Sequence, residues 1–178
     1  MPLSQNYHSS SSSLVLLDSN ILQYSVSKLT ASVFNAYLEE LKQREYDFAI
    51  SSISIYELLA GANIKTKKII AAVLNTFEKY PITDAVLKQA IQLEDLYKQE
   101  SIMPNQANQG DKFIAATSIL TNARILTANA RDFPFPFFRE EEREILEFET
   151  QRKRYGVLAI SLLRPDIEII NKKLPNLA

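Results

Sequence analysis

No cysteine occurs among the 178 residues, which excludes disulfides, zinc–thiolate sites and thiol catalysis. The one histidine, His8, sits in a serine-rich stretch near the N-terminus. A Ser–His–Asp triad or a histidine-ligated metal in the folded body is therefore disfavoured. No apolar run approaches the roughly 20 residues that span a bilayer. The N-terminal stretch also lacks the basic and apolar segments of a signal peptide, so the expected location is the cytoplasm. A formal net charge of −1 excludes a polycation that coats nucleic acid by bulk electrostatics. Binding RNA would need a local patch or a metal ion. What remains is an ordinary globular composition, 46% hydrophobic and 23% charged, sized for one domain with a substantial core. Carboxylates are the ionisable groups left for chemistry.

Residues 1–13 are polar and without period, and are expected to be a disordered tail. Leu14–Leu17 is all apolar, as in a strand buried on both faces of a parallel sheet. Helical spacing of Val33, Phe34, Tyr37, Leu38 and Leu41 predicts a helix over 30–43. Asp47–Ser51 reads as a second strand, followed by a short helix capped by Ser51 or Ser52 and closed by Gly61. A helix over 63–79, a short strand at 80–82 and a helix from Thr83 or Asp84 to about Gln99 come next. The Asn/Gln-rich segment 101–109 is a loop, 111–121 a helix and Arg124–Thr127 a strand. Beyond it, Phe133-Pro-Phe-Pro-Phe-Phe138 reads as core or interface. The charged segment 139–154 looks helical, and 157–163 is a strand candidate. Strands alternating with helices predict one α/β domain whose ligands bind beyond the carboxyl ends of the strands.

Four acidic residues occupy such places. Asp18 ends the first strand, Glu57 lies in the short helix, Asp111 opens the helix over 111–121, and Asp132 follows the strand Arg124–Thr127. Each has a plainer role on its own. Asp18 serves as a turn residue, Glu57 as the polar face of an amphipathic helix, Asp111 as a cap or dipole partner. Thr127, Asn129 and Asp132 are ordinary residues of a strand end and turn. Together they suggest a site in which crowded carboxylates are neutralised by a hard cation, Mg²⁺ or Mn²⁺. Such a site supports attack of metal-activated water on a phosphodiester.

Leu14-Val-Leu-Leu-Asp-Ser-Asn20, Ser51-Ser-Ile-Ser-Ile-Tyr-Glu-Leu-Leu-Ala-Gly61, Gly110-Asp-Lys-Phe-Ile-Ala-Ala-Thr117 and Ile125-Leu-Thr-Ala-Asn-Ala-Arg-Asp-Phe133 follow one another in an order that resembles PIN-domain nucleases, most closely the VapC-like toxins of toxin–antitoxin pairs. The resemblance covers roughly residues 14–138 and implies a three-layer α/β/α fold around a central, mainly parallel sheet. It makes 139–178 a C-terminal extension packed on the same domain. It implies a Mg²⁺- or Mn²⁺-dependent endoribonuclease with Asp18, Glu57 and Asp111 on the metal. The last acid of the family's pattern falls either on Asn129 or in the Arg-Asp-Phe piece, making Asp132 a peripheral fourth. Asn20, Thr127, Asn129, Lys112 and Arg131 would support the site or contact the substrate. The implied partners are RNA, a small antitoxin and a second copy of the chain, with no membrane. A catalytically weak PIN-like module that binds RNA or protein is the alternative.

Other phosphate chemistries fit worse. A haloacid-type phosphatase needs a second Asp two residues after Asp18, where Asn20 stands, and a receiver domain needs an Asp at the end of a central strand, where Asp47–Ser51 closes in serines. The cluster Lys65, Lys67 and Lys68 reads as a solvated helix face or as a phosphate contact.

Overall fold

A computed structural model describes residues 13–102, 109–150 and 154–174. Its six-stranded sheet has the order β3-β2-β1-β4-β6-β5. The strands are β1 (Leu14–Leu17), β2 (Asp47–Ser51), β3 (Glu78–Tyr80), β4 (Arg124–Thr127), β5 (Phe138–Glu149) and β6 (Tyr155–Pro165). The first four run parallel, and β6 and β5 join antiparallel beyond β4. The helices are α1 (Ser19–Val26), α2 (Ala31–Gln43), α3 (Ser52–Gly61), α4 (Ile64–Leu74), α5 (Asp84–Gln99), α6 (Gln109–Thr121) and α7 (Ile167–Lys173). The expected mixed α/β fold with a central, mainly parallel sheet is the one found.

β1 is apolar throughout because both of its faces are covered. Val15 and Leu17 point into one core with Phe34, Tyr37 and Leu41 of α2. Leu14 and Leu16 point the other way, toward Ala49 and Ala123. A second large core joins α5, α6 and α7 to the far face through Leu93, Leu96, Ile114, Phe137 and Ile170. Each fully buried aliphatic side chain of β1 contributes roughly 1.5–3 kcal/mol to this arrangement.

Several boundaries differ from the sequence expectation. Asp18, with a plainer role as a turn residue, instead caps a helix that starts at Ser19, where Ile21, Leu22 and Ser25 are buried. The helix over 63–79 stops at Leu74, where Thr76 turns its hydroxyl back to the Val73 carbonyl at 2.7 Å. The short strand accordingly begins at Glu78, not residue 80, and pairs Glu78 with Ala49. Ser51 and Thr83 are the caps of α3 and α5.

The largest correction concerns 139–154. Its run of glutamates and arginines suggested a helix, but Phe138–Glu149 is a strand paired along its length with β6. Leu146 and Phe148 alternate with Glu147 and Glu149, the period of a strand with one face covered, and Leu146 packs against the first core. The strand expected at 157–163 extends over Tyr155–Pro165. The aromatic block is core at Phe133, Phe137 and Phe138, while Phe135 is 75% exposed. Residues 1–12, most of the expected tail, lie outside the described residues, as do 103–108, 151–153 and 175–178.

Candidate active site

The parallel strands deliver three of the site's segments to one end of the sheet. Asp18 follows Leu17 directly, and its backbone N–H donates to the Leu126 carbonyl of β4 at 3.1 Å. Thr127 is the last residue of β4. Glu57 lies in α3, which starts immediately after β2. α6 returns to the start of β4 through residues 122–123, so its first turn, with Asp111, is at this same end.

Asp18 is the hub, only 3% exposed. It caps α1, accepting from the Ser19 N–H at 2.5 Å. Its Oδ2 accepts from Thr127 Oγ1 at 2.6 Å and from Asn20 Nδ2 at 2.5 Å. Asn20 in turn accepts the Ala128 N–H on its Oδ1 at 3.0 Å, tying α1 to the segment after β4. The Asn129 N–H donates to Thr127 Oγ1 at 2.9 Å, and the Asn129 amide donates to Asp132 Oδ2. On the other flank the Ser19 hydroxyl donates to Glu57 Oε2. A continuous hydrogen-bonded path therefore runs from Glu57 through Ser19, Asp18, Thr127 and Asn129 to Asp132.

The electrostatics of Asp18 are set by burial and by its acidic neighbour. Burial pushes the Asp18 carboxyl above its ordinary range, and the nearby Glu57 charge adds to the rise, against hydrogen bonds from Thr127, the Ser19 N–H and Asn20. A raised folded-state value means that ionisation costs stability. The cost is absent below the unfolded value and fully present above the folded one. Burial likewise pushes Asp132 upward, and its buried Oδ1 has no hydrogen-bond partner among the described residues. Asp111 is buried in the first turn of α6, where the helix dipole favours its charge.

The remaining candidates divide. Asn20, Thr127 and Asn129 join the network, whereas the Lys112 ammonium is ion-paired with Glu94 of α5, and Arg131 is exposed. Lys112, followed by Lys98, holds the Glu94 carboxyl below its usual range. Lys65, Lys67 and Lys68 are exposed on α4. Ser19 is the residue that sequence reasoning missed. Its signal was a hydroxyl immediately after the capping acid, but its partner lies 38 positions away. Among the described residues, no three acidic side chains stand together as a ready-made metal cage.

The PIN-domain family model matches residues 15–135, a span that holds every residue of this network. The chain belongs to the PIN-domain family. Solved structures of similar fold include VapBC2 from Rickettsia felis bound to a promoter DNA fragment, with a TM-score of 0.57 and 24% identity, covering 69% of this chain and 93% of that one. FitAcB from Neisseria gonorrhoeae gives a TM-score of 0.55 at 22% identity, with 67% and 90% covered. A toxin–antitoxin complex from Klebsiella pneumoniae gives 0.52 at 24%, with 68% and 92% covered. At these identities the likeness is one of fold. Among curated proteins none matches the chain significantly. The PIN match ends at residue 135, so the β5–β6 hairpin lies outside it.

Proposed function

We propose that this PIN-domain protein is a Mg²⁺- or Mn²⁺-dependent endoribonuclease of the cytoplasm, acting as the toxin of a toxin–antitoxin pair. The observation that carries this reading is the buried Asp18, set at the strand ends beside Glu57 and hydrogen-bonded to Thr127, Asn20 and the Ser19 N–H. Hard oxygen donors of this kind fit Mg²⁺ or Mn²⁺, and Mg²⁺ commonly takes one or two carboxylates while keeping several waters. A preformed three-acid cage is not required.

In this reading Asp18, Glu57 and Asp111 hold the ion. When bound, it lowers the pKa of its water and offsets charge developing on the phosphate. The rest of the network supplies orientation. Thr127 and Asn20 fix Oδ2 of Asp18, and Ser19 fixes Glu57.

Asp132 is assigned a peripheral place because it reaches Asp18 only through Asn129 and Thr127. Asp132→Ala is therefore expected to lower cleavage modestly, by about tenfold or less, roughly 1.4 kcal/mol. Asn129→Asp sets a carboxylate against Asp132 and should tighten Mg²⁺ binding by adding an anionic ligand. Calorimetric titration of the two variants checks this, and loss of all metal binding in Asp132→Ala would reverse the ranking. The neutral Asn129 also supports a second reading, a non-catalytic RNA- or protein-binding module, which such a titration separates from the first.

The toxin reading implies a small antitoxin and a homodimer. Tyr56 of α3 and Ile64 and Ile69 of α4 leave apolar side chains in solvent, a surface suited to such contacts. Light scattering on the purified chain should give a dimer. Induction should arrest growth for the wild type and not for Asp18→Asn. A monomer whose induction leaves growth unchanged contradicts the toxin assignment.

A further inference from the structure

Beyond Arg143 the β5–β6 hairpin leaves the rest of the sheet. β4 pairs with β6 only up to Thr127↔Ser161, and Ser161 lies opposite Arg143 of β5. From there to its tip the hairpin is a two-stranded ribbon, a form that is marginal in water by itself. Leu146 rests on the first core and the Phe148 ring lies across Gly156. The outer edge of β5, however, pairs with no strand among the described residues. An edge left open in this way is a template for a further strand.

One hydrogen bond fixes which residues face that edge. The Thr150 N–H donates to the Arg154 carbonyl at 2.7 Å, so this pair, next in register after Glu149↔Tyr155, is hydrogen-bonded. Such pairs alternate with non-hydrogen-bonded ones along an antiparallel ladder. Glu147↔Val157, Ile145↔Ala159 and Arg143↔Ser161 are then of the second kind. Arg143, Ile145 and Glu147 therefore turn N–H and C=O away from β6, toward the open edge, with their side chains on one face. Arg143 and Glu147 are exposed and in no ion pair among the described residues. Ile145, between them, is 49% exposed.

We propose that this edge pairs antiparallel with β5 of a second copy of the chain, about a two-fold axis at Ile145. Ile145 of one copy then lies against Ile145 of the other, and Arg143 of each against Glu147 of the other. Moving the axis to Arg143 or Glu147 would set like charges opposite each other. Placing it between Ile145 and Glu147 would set Ile145 against Glu147. Glu149 falls opposite the bulge at Glu140–Glu142, where Glu141 is already held by Arg124 and Arg164. A foreign strand of one charge sign would meet its own sign at Arg143 or at Glu147, whereas a second β5 does not. The inference rests on the homodimer of the reading above and assigns its interface, leaving the apolar α3–α4 surface to other partners.

The test uses the full chain and begins with light scattering across a concentration series. Arg143→Glu and Glu147→Arg are each expected to raise the dissociation constant of the dimer by about tenfold or more, equivalent to 1.4 kcal/mol. Mixing the two variants in equal amounts should restore the dimer, because each brings the charges that the other lacks. Misfolded variants would not be rescued in this way. The chain has no cysteine, so Ile145→Cys places a single thiol at the axis. Hydrogen-bonded antiparallel partners stand about 5.5 Å apart at Cα, within disulfide reach. Mild oxidation should link Ile145→Cys covalently, and leave unlinked Val157→Cys, 59% exposed but on β6. A monomeric wild type, a mixture no tighter than its components, or Ile145→Cys linking no faster than Val157→Cys overturns the pairing. A dimer that both charge variants leave intact overturns the pairing alone, and the toxin reading stands.

Discussion

Asparagine at position 111 is expected to reduce divalent-cation-dependent RNA cleavage by about 10²- to 10³-fold, roughly 3–4 kcal/mol of transition-state stabilisation. The substitution keeps the side-chain shape and a hydrogen-bonding oxygen, and removes a negative charge from the first turn of α6. The lost charge–dipole interaction alone costs about 0.3–1 kcal/mol, and the circular dichroism spectrum and cooperative unfolding should persist. Asp18→Asn should lose activity to the same degree. Its amide can still accept from the Ser19 N–H, but it turns an NH₂ toward the donors Thr127 and Asn20. Single-turnover cleavage of a short RNA by the folded variants is the check. Undiminished cleavage by Asp111→Asn removes it from the site.

The second large effect is on stability. Phe137 is fully buried in the second core, its ring centroid 5.6 Å from that of Tyr97. Phe137→Ala is expected to cost about 3–5 kcal/mol, the usual range for emptying an aromatic site in a packed core. A domain with roughly 5–15 kcal/mol in total loses a large fraction of its stability by this change. Phe135, two residues earlier and 75% exposed, supplies the internal control. Phe135→Ala should shift stability by no more than about 0.5 kcal/mol. Urea unfolding of the pair measures the contrast. Equal effects at the two positions would mean that the aromatic block does not seat as described.

That block illustrates how much was legible before the fold was known. Four aromatics in Phe133–Phe138 marked a buried segment, yet nothing local distinguished Phe135 from its neighbours, because the split depends on the turn before β5. β1 was legible because a strand covered on both faces has no polar position to confuse the pattern. β5 was misread as helix because its first half carries Glu and Arg without period, and alternation emerges only from Leu146 onward, against β6. α1 was missed because Ser19 and Asn20 favour turns, while the burial that selects a helix comes from Ile21, Leu22 and Ser25.

The candidate site shows the same division. Acids at strand ends and helix starts were readable, since the alternation of strands and helices brings them to one end of the sheet. The bonds that organise them were not. Thr127 reaches Asp18 across 109 positions and Ser19 reaches Glu57 across 38. Lys112 stood next to Asp111 in sequence and so suggested a phosphate contact, but a helix turns neighbouring side chains in different directions, and its ammonium meets Glu94.

Asp18 and its neighbouring carboxylates are expected to bind a divalent cation that cleavage requires. Calorimetric titration of Mn²⁺ into the wild-type chain and Asp18→Asn tests it most directly, with the RNA assay run on the same samples in the presence and absence of chelator. Saturable binding in the wild type, its loss in Asp18→Asn, and cleavage that stops in chelator are expected. Cleavage that persists in chelator, or Mn²⁺ binding unchanged by Asp18→Asn, would contradict the account.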